Sequence, residues 1–239
     1  MKLVLFDVDG TLILTGGAGM RAYYRAMNSV FGVRAHSGLI RPDGKTDPLI
    51  AKELLTCFGM ADQWCETARD ALFSSYLECL EEEMSGAKAS GTLRVLPGAL
   101  SLLEALSAQP EFALGLVTGN LERGAHIKLE NAGLRKYFQF GGYGSDSDDR
   151  TELTRVGIRR GAQFVVPAPV EAAFIVGDTP LDVAHGHAAG AFVIAVASAG
   201  YTLDELGAHE PDLLVPDLTS AGTILSFARG KSWDSSALF

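Results

Sequence analysis

Cysteine is scarce in this chain of 239 residues: Cys57, Cys65 and Cys79 are the only three, an odd number with no C-x-x-C pair. That argues against a disulfide-built scaffold or a thiolate zinc centre and fits a reducing cytoplasm. Positive charge is also in short supply. Twenty Lys+Arg stand against 29 Asp+Glu, a formal net charge of −9, which argues against nucleic acid or an anionic membrane as the main partner. Long apolar runs are missing as well. The longest uncharged stretch, residues 188–203, is rich in Ala, Gly and Ser and falls short of the ~20 residues a membrane span needs. The apolar run at the N-terminus is cut by Asp7, too early for a signal peptide. The expected location is cytoplasmic; no feature bears on oligomeric state.

What is present is an ordinary globular composition, 47% hydrophobic and 21% charged, with length for one large domain or two modest ones. Apolar runs at 3–6, 113–117, 137–140, 172–176, 192–196 and 213–215 show little polar alternation, as strands covered on both faces do. Helix-length segments separate most of them, at 97–107, 121–132, 151–164 and 181–189. The pattern predicts an α/β fold, a Rossmann-like parallel sheet with helices on both faces. Its strand C-termini would share one edge, where open α/β sheets bind ligands.

From about residue 17 to about 90 the strand pattern stops. Met20, Tyr24, Met27 and Phe31 recur at helical steps, as do Trp64, Ala68, Leu72, Tyr76 and Leu80, and such stripes are packing faces. This predicts a small α-helical cap domain, residues 16–90, inserted after the first strand of a core made of 1–15 and 91–239. Gly16-Gly17 and the Gly/Ser/Ala-rich segment 85–92 read as its connectors. The tail 230–239 has no periodic pattern and is expected to be loosely held.

The candidate chemistry lies at strand ends. Phe6-Asp7-Val8-Asp9-Gly10-Thr11-Leu12 follows the first run. Two carboxylates at i and i+2 point the same way in extended chain, and Gly10 permits a turn closed to other residues. A plain Asp-Gly turn needs only one acid. Gly177-Asp178-Thr179-Pro180-Leu181-Asp182 follows another run; Thr179, Pro180 and Asp182 make a sensible helix start, which leaves Asp178 at the strand end without a capping role. Carboxylates some 4 Å apart repel by about 4 kcal/mol at an effective dielectric of 20. Asp7, Asp9 and Asp178 brought together would therefore take up protons or hold a hard, oxygen-loving ion such as Mg²⁺, which would in turn attract phosphate. Val117-Thr118-Gly119-Asn120 also ends a strand; Thr118 and the amides that follow could hold phosphoryl oxygens at a helix N-terminus, while Asn120 could equally be an N-cap. The five histidines form no metal pattern.

These motifs, in this order and with a helical insertion between the first and second, resemble the haloacid dehalogenase superfamily, in particular its phosphoglycolate phosphatase-like branch. The resemblance implies a Mg²⁺-dependent phosphatase acting on a small phosphorylated metabolite, with Asp7 as the nucleophile that becomes an aspartyl phosphate. Asp9 would serve as general acid and then base. Mg²⁺ would be held by the Asp7 side chain, the Asp9 carbonyl and Asp178, with Asp182 in support, and Thr118, Gly119 and Asn120 would bind phosphate. The branch places a Lys-Pro pair before the last motif, and this chain has none. Arg150, where a helix should begin, is the candidate replacement; pairing with nearby surface acids is its other reading, and Lys128 and Lys136 are fallbacks. In the cap, Gly44 and Lys45 of Arg41-Pro42-Asp43-Gly44-Lys45-Thr46-Asp47-Pro48 would contact substrate or else merely turn the chain into a helix. A phosphosugar mutase resembling β-phosphoglucomutase would share the catalytic residues. A dehalogenase needs no acid at Asp9, and a phosphate-accepting receiver module has no such cap.

Overall fold

The computed structural model describes residues 1–233, so the reading of 234–239 falls outside the described residues. The chain opens with β1 (Lys2–Phe6) and a two-residue strand β2 (Ile13–Leu14), then leaves the sheet for α1 (Ala18–Phe31), α2 (Asp47–Cys57) and α3 (Glu66–Ser90). It returns through β3 (Arg94–Val95), α4 (Ala99–Ser107), β4 (Phe112–Thr118), α5 (Glu122–Ala132), β5 (Phe140–Tyr143) and α6 (Arg150–Phe164). The last part is β6 (Ala172–Gly177), α7 (Pro180–Ala188), β7 (Phe192–Val196), α8 (Leu203–Gly207), β8 (Leu213–Val215) and α9 (Ala221–Gly230).

Six strands pair in the order β5-β4-β1-β6-β7-β8, every neighbour parallel. β1 lies inside the sheet, with Leu3 paired to Ala113 on one side and Ala173 on the other. Its residues alternate between two cores: Val4 and Phe6 share one cluster with Leu103 and Phe174, while Leu3 and Leu5 share the other with Val183 and Val193. Each such fully buried side chain contributes about 1.5–3 kcal/mol, and both faces being covered is why the strands read as unbroken apolar runs. Because the chain order switches at β1, the C-terminal ends of β1, β4 and β6 lie side by side.

The fold is the expected one, with local corrections. The run 137–140 was expected as a strand. Residues Arg135–Tyr137 instead form a 3₁₀ turn, and the strand is Phe140–Tyr143. Its Gly141-Gly142 disfavours a strand on propensity, but a Cβ on Gly142 would lie 1.8 Å from the Leu153 carbonyl oxygen. Close packing of α6 on the sheet therefore requires glycine there. The connector expected at 85–92 is helix as far as Ser90, because Met84 and Ala87 extend the buried stripe of Leu72, Tyr76 and Leu80. Residues 91–93 make the link to β3. The paired strands β2 and β3 (Ile13 with Val95, Leu14 with Arg94) were too short to read from the sequence.

α1, α2 and α3 bury a second cluster together with Leu121 and Ile127, and in it Ala22, Ala26 and Met27 of α1 join Leu72 and Leu80 of α3. Tyr23 and Tyr76 stack at its centre, ring centroids 4.0 Å apart. Ala18, Ala22, Tyr23, Ala26 and Met27 are the buried residues of α1, so of the expected stripe Met27 lies inside while Met20, Tyr24 and Phe31 sit at its margin, only partly buried.

A candidate active site at the sheet edge

The site is built where β1, β4 and β6 end. The Asp7 amide continues the ladder, donating to the Val176 carbonyl at 2.9 Å, and this fixes the carboxylate beside β6. Gly10 has φ +87°, and a Cβ there would meet Asp178 Oδ2 at 2.3 Å, so glycine is needed both for the turn and for the approach of Asp178. Thr11 donates its hydroxyl proton to Asp178 Oδ1 at 2.8 Å. At the start of α7, Thr179 and Asp182 form a reciprocal capping box. Asp182 Oδ2 accepts from the Thr179 amide and hydroxyl, and its Oδ1 accepts from Arg150 Nη2 at 2.5 Å. Arg150, the first residue of α6, is buried and places the same nitrogen 3.9 Å from Asp7 Oδ1.

Asp7, Asp178 and Asp182 each offer a carboxylate oxygen, all lying within 4.8 Å of one another. Burial, then repulsion from Asp182 and Asp9, raises the Asp7 carboxyl to about 7, although Arg150 pulls the other way. Burial followed by Asp182 and Asp7 pushes Asp178 well above the usual carboxylate range. Burial works against the Arg150 charge, but Asp182, Asp7 and Asp178 around it more than compensate, so it stays a cation. An all-oxygen donor set with surplus negative charge suits a hard divalent ion such as Mg²⁺. Asp7 and Asp178 are the better placed donors, since both oxygens of Asp182 are engaged by Thr179 and Arg150.

On the β4 side, Asn120 is not the N-cap of α5; that position is Leu121. Asn120 Nδ2 instead donates to Asp9 Oδ2 and Thr118 Oγ1, both at 2.8 Å. Lys128 of α5 donates to the same Asp9 oxygen at 2.6 Å. Lys136, by contrast, lies over the Tyr137 ring and does not line the cavity. The loop before α2 seats on this side. A Cβ on Gly119 would strike the Lys45 carbonyl oxygen at 2.1 Å, and Gly44, in the left-handed region at φ +69°, faces Leu181. The Lys45 ammonium is held by Glu53 at 2.5 Å. Between the sheet edge and the helices lies a cavity of about 540 Å³ lined by Asp7, Asp9, Asp178, Arg150, Lys128 and Tyr76 among others.

Asp47 joins the two layers. Its amide donates to the Gly119 carbonyl and its Oδ2 accepts from the Leu121 amide, both at 2.7 Å. Burial raises its carboxyl to about 6, with Lys128 opposing. A carboxyl raised by folding makes the native state bind a proton that the unfolded chain releases, so its contribution to stability falls as pH rises from about 4 to about 6. The shift corresponds to on the order of 3 kcal/mol. Asn at this position keeps an acceptor for Leu121 without the charge. The melting temperature of Asp47→Asn relative to the parent is therefore expected to climb by several degrees between pH 4 and pH 7. A flat difference across thermal melts in that range would refute the assignment.

Sequence reading missed Asp47 and Tyr76 and kept Lys128 only in reserve. A signal existed for Lys128: it interrupts the stripe Leu121, Ala125, Leu129, Ala132, a lone charge on a buried helix face.

The chain belongs to the haloacid dehalogenase-like hydrolases, whose family profile matches residues 1–190. Among characterised relatives, the phosphoglycolate phosphatase of Rhodospirillum rubrum is 29% identical over 232 residues, covering 95% of this chain and 91% of that protein. Among solved structures, a β-phosphoglucomutase from Clostridium difficile superposes with a TM-score of 0.70 at 14% identity, over 95% of this chain and 97% of that one. A hydrolase from Pseudomonas syringae gives 0.68 at 20% identity, over 95% and 98%. These two matches establish the shared fold.

Proposed function

We propose that this protein is a Mg²⁺-dependent phosphatase that hydrolyses a small phosphomonoester through an aspartyl phosphate on Asp7. The observation that carries the reading is the meeting of Asp7, Asp178 and Arg150, from three distant parts of the chain, at one point of the sheet edge. Asp7 and Asp178, with the Asp9 carbonyl, would hold the ion and Asp182 would support it; when bound, it neutralises phosphoryl charge and orients the ester. Asp7 attacks phosphorus as the bond to the alcohol breaks, and Asp9 gives that oxygen its proton. Asp9 then takes a proton from the water that cleaves the acyl phosphate, releasing inorganic phosphate and restoring Asp7. The Thr118 hydroxyl and the amides of Gly119 and Asn120 would bind phosphoryl oxygens, and Arg150 offsets their charge. α1–α3, residues 16–90, act as the cap, with Gly44 and Lys45 on its substrate-facing loop. Among the described residues no helix is long and apolar enough to cross a membrane. The proposed setting is the cytoplasm and the proposed partner a small phosphorylated metabolite.

The test is phosphate release from p-nitrophenyl phosphate and a panel of small phosphate esters. Mg²⁺ is expected to support turnover, EDTA to abolish it, and added Mg²⁺ to restore it. No release from any ester with the metal present would end the phosphatase reading; full activity in EDTA would end its metal.

A further inference from the structure

Two buried polar groups in the cavity are given no contact with substrate in the chemistry above. Lys128 is 4% exposed and Tyr76 1%. A lysine ammonium has three N–H donors. Two of those on Lys128 go to Asp9 Oδ2 and Asn120 Oδ1, each at 2.6 Å, and no acceptor among the described residues takes the third. The Tyr76 ring stacks on Tyr23, but its hydroxyl has no hydrogen-bond partner among the described residues. Every side-chain nitrogen or oxygen sealed from solvent there is partnered. The Tyr76 oxygen is therefore not sealed, and opens onto the cavity that its residue lines. The two groups share a corner: a methyl placed on Gly19 would lie 3.5 Å from Lys128 Nζ and 4.0 Å from the Tyr76 oxygen. Having no side chain, Gly19 of α1 leaves that corner open.

The corner adjoins the leaving group. Asp9 protonates the departing oxygen, and Lys128 rests on Asp9, so a substituent on the next carbon of the alcohol comes within its reach. Charge decides what that substituent is. Asp9 hydrogen-bonds Lys128 and Asp47 feels its field, so two carboxylates already share one ammonium. A third anion would meet net repulsion. An alkyl group would leave an N–H and a phenol O–H without partners, which is costly in a buried site. A hydroxyl can accept from Lys128 and exchange a hydrogen bond with Tyr76.

We propose that Lys128 and Tyr76 form a subsite for a hydroxyl on the alcohol portion of the substrate, so that the enzyme prefers phosphate esters of polyhydroxy alcohols. This rests on the phosphatase reading and narrows its substrate class. The test compares kcat/KM for 2-hydroxyethyl phosphate, ethyl phosphate and 2-phosphoglycolate, which differ at one group. The hydroxyl compound is expected to exceed ethyl phosphate by roughly tenfold or more, and 2-phosphoglycolate is expected not to exceed ethyl phosphate. Tyr76→Phe, which keeps the ring stack, and Lys128→Met, which keeps the stem, should each bring the hydroxyl-to-ethyl ratio close to one. Lys128→Met can also slow both esters by loosening Asp9, and the ratio is blind to that. A wild-type ratio near one, a ratio that survives either variant, or a preference for 2-phosphoglycolate would overturn the subsite while leaving a phosphatase. No hydrolysis of any ester would instead remove the function on which it rests.

Discussion

Asp7→Asn is expected to reduce phosphate release by about 10⁴-fold or more, because an amide is a poor nucleophile and no other carboxylate can take its line of attack. Loss of activity alone would not separate chemistry from unfolding, and stability supplies the control. Asp7 is 7% exposed, and its carboxyl sits near 7 because burial and Asp182 oppose its charge. Asparagine has the same shape without that charge. At pH 8 and without Mg²⁺, the variant should melt at or above the parent's temperature while remaining inactive. A variant that retains the parent's kcat would refute the mechanism. One that is inactive and strongly destabilised would show that Asp7 is needed for folding.

Arg150→Met should produce the second largest effect. The guanidinium is buried between Asp182 and Asp7, so its removal strands carboxylates that have lost their cation. Breaking a buried pair by deleting one partner typically costs about 3–5 kcal/mol. Losing a charge that faces the phosphoryl group costs about 10²–10³-fold in rate. Arg150→Lys, which restores the charge without the fork, should recover much of kcat/KM but less of the stability. Arg155→Met is the control, because it does not line the cavity and its contacts, an exposed pair with Glu152 at 3.7 Å and an exposed hydrogen bond to the Ala188 carbonyl, are of the surface kind in which an ion pair is worth under about 1 kcal/mol. If Arg150→Met matched the parent in kcat/KM, Lys128 would become the phosphate-facing cation.

How legible the protein was in its sequence depended on local redundancy. The long buried strands announced themselves because both faces are covered, and the acids at 7, 9 and 178 stood out because they follow such strands. Strand β5 was misplaced because its glycines serve the approach of α6, a tertiary demand that outweighs β-propensity at Gly142. The catalytic loops were found by motif, but Asp47 and Tyr76 were not recognised and Lys128 was held only as a fallback cation. Each belongs to a helix whose pattern is explained by packing, and their meeting arises only when α2, α3 and α5 close on one cavity. Arg150 lay between these extremes. The absence of a Lys-Pro pair drew attention to it, yet only folding shows that its partner is Asp182 and not the surface acids beside it.

The two short strands β2 and β3 have a mechanical consequence. They carry the chain out to the helical layer and back, and they are hydrogen-bonded to each other. Two independent tethers would let that layer swing and twist freely; a zipped pair behaves as a single jamb. Gly16, Gly17 and Gly91, all at positive φ, sit at its outer end, where rotation is cheapest. Such a pair would favour turning about one line, like a door. On the far side Asp47 binds residues 119 and 121 and Leu80 of α3 shares an apolar cluster with Leu121 and Ile127, so any swing of the layer would have to break that apolar contact as well as the hydrogen bonds around one carboxylate.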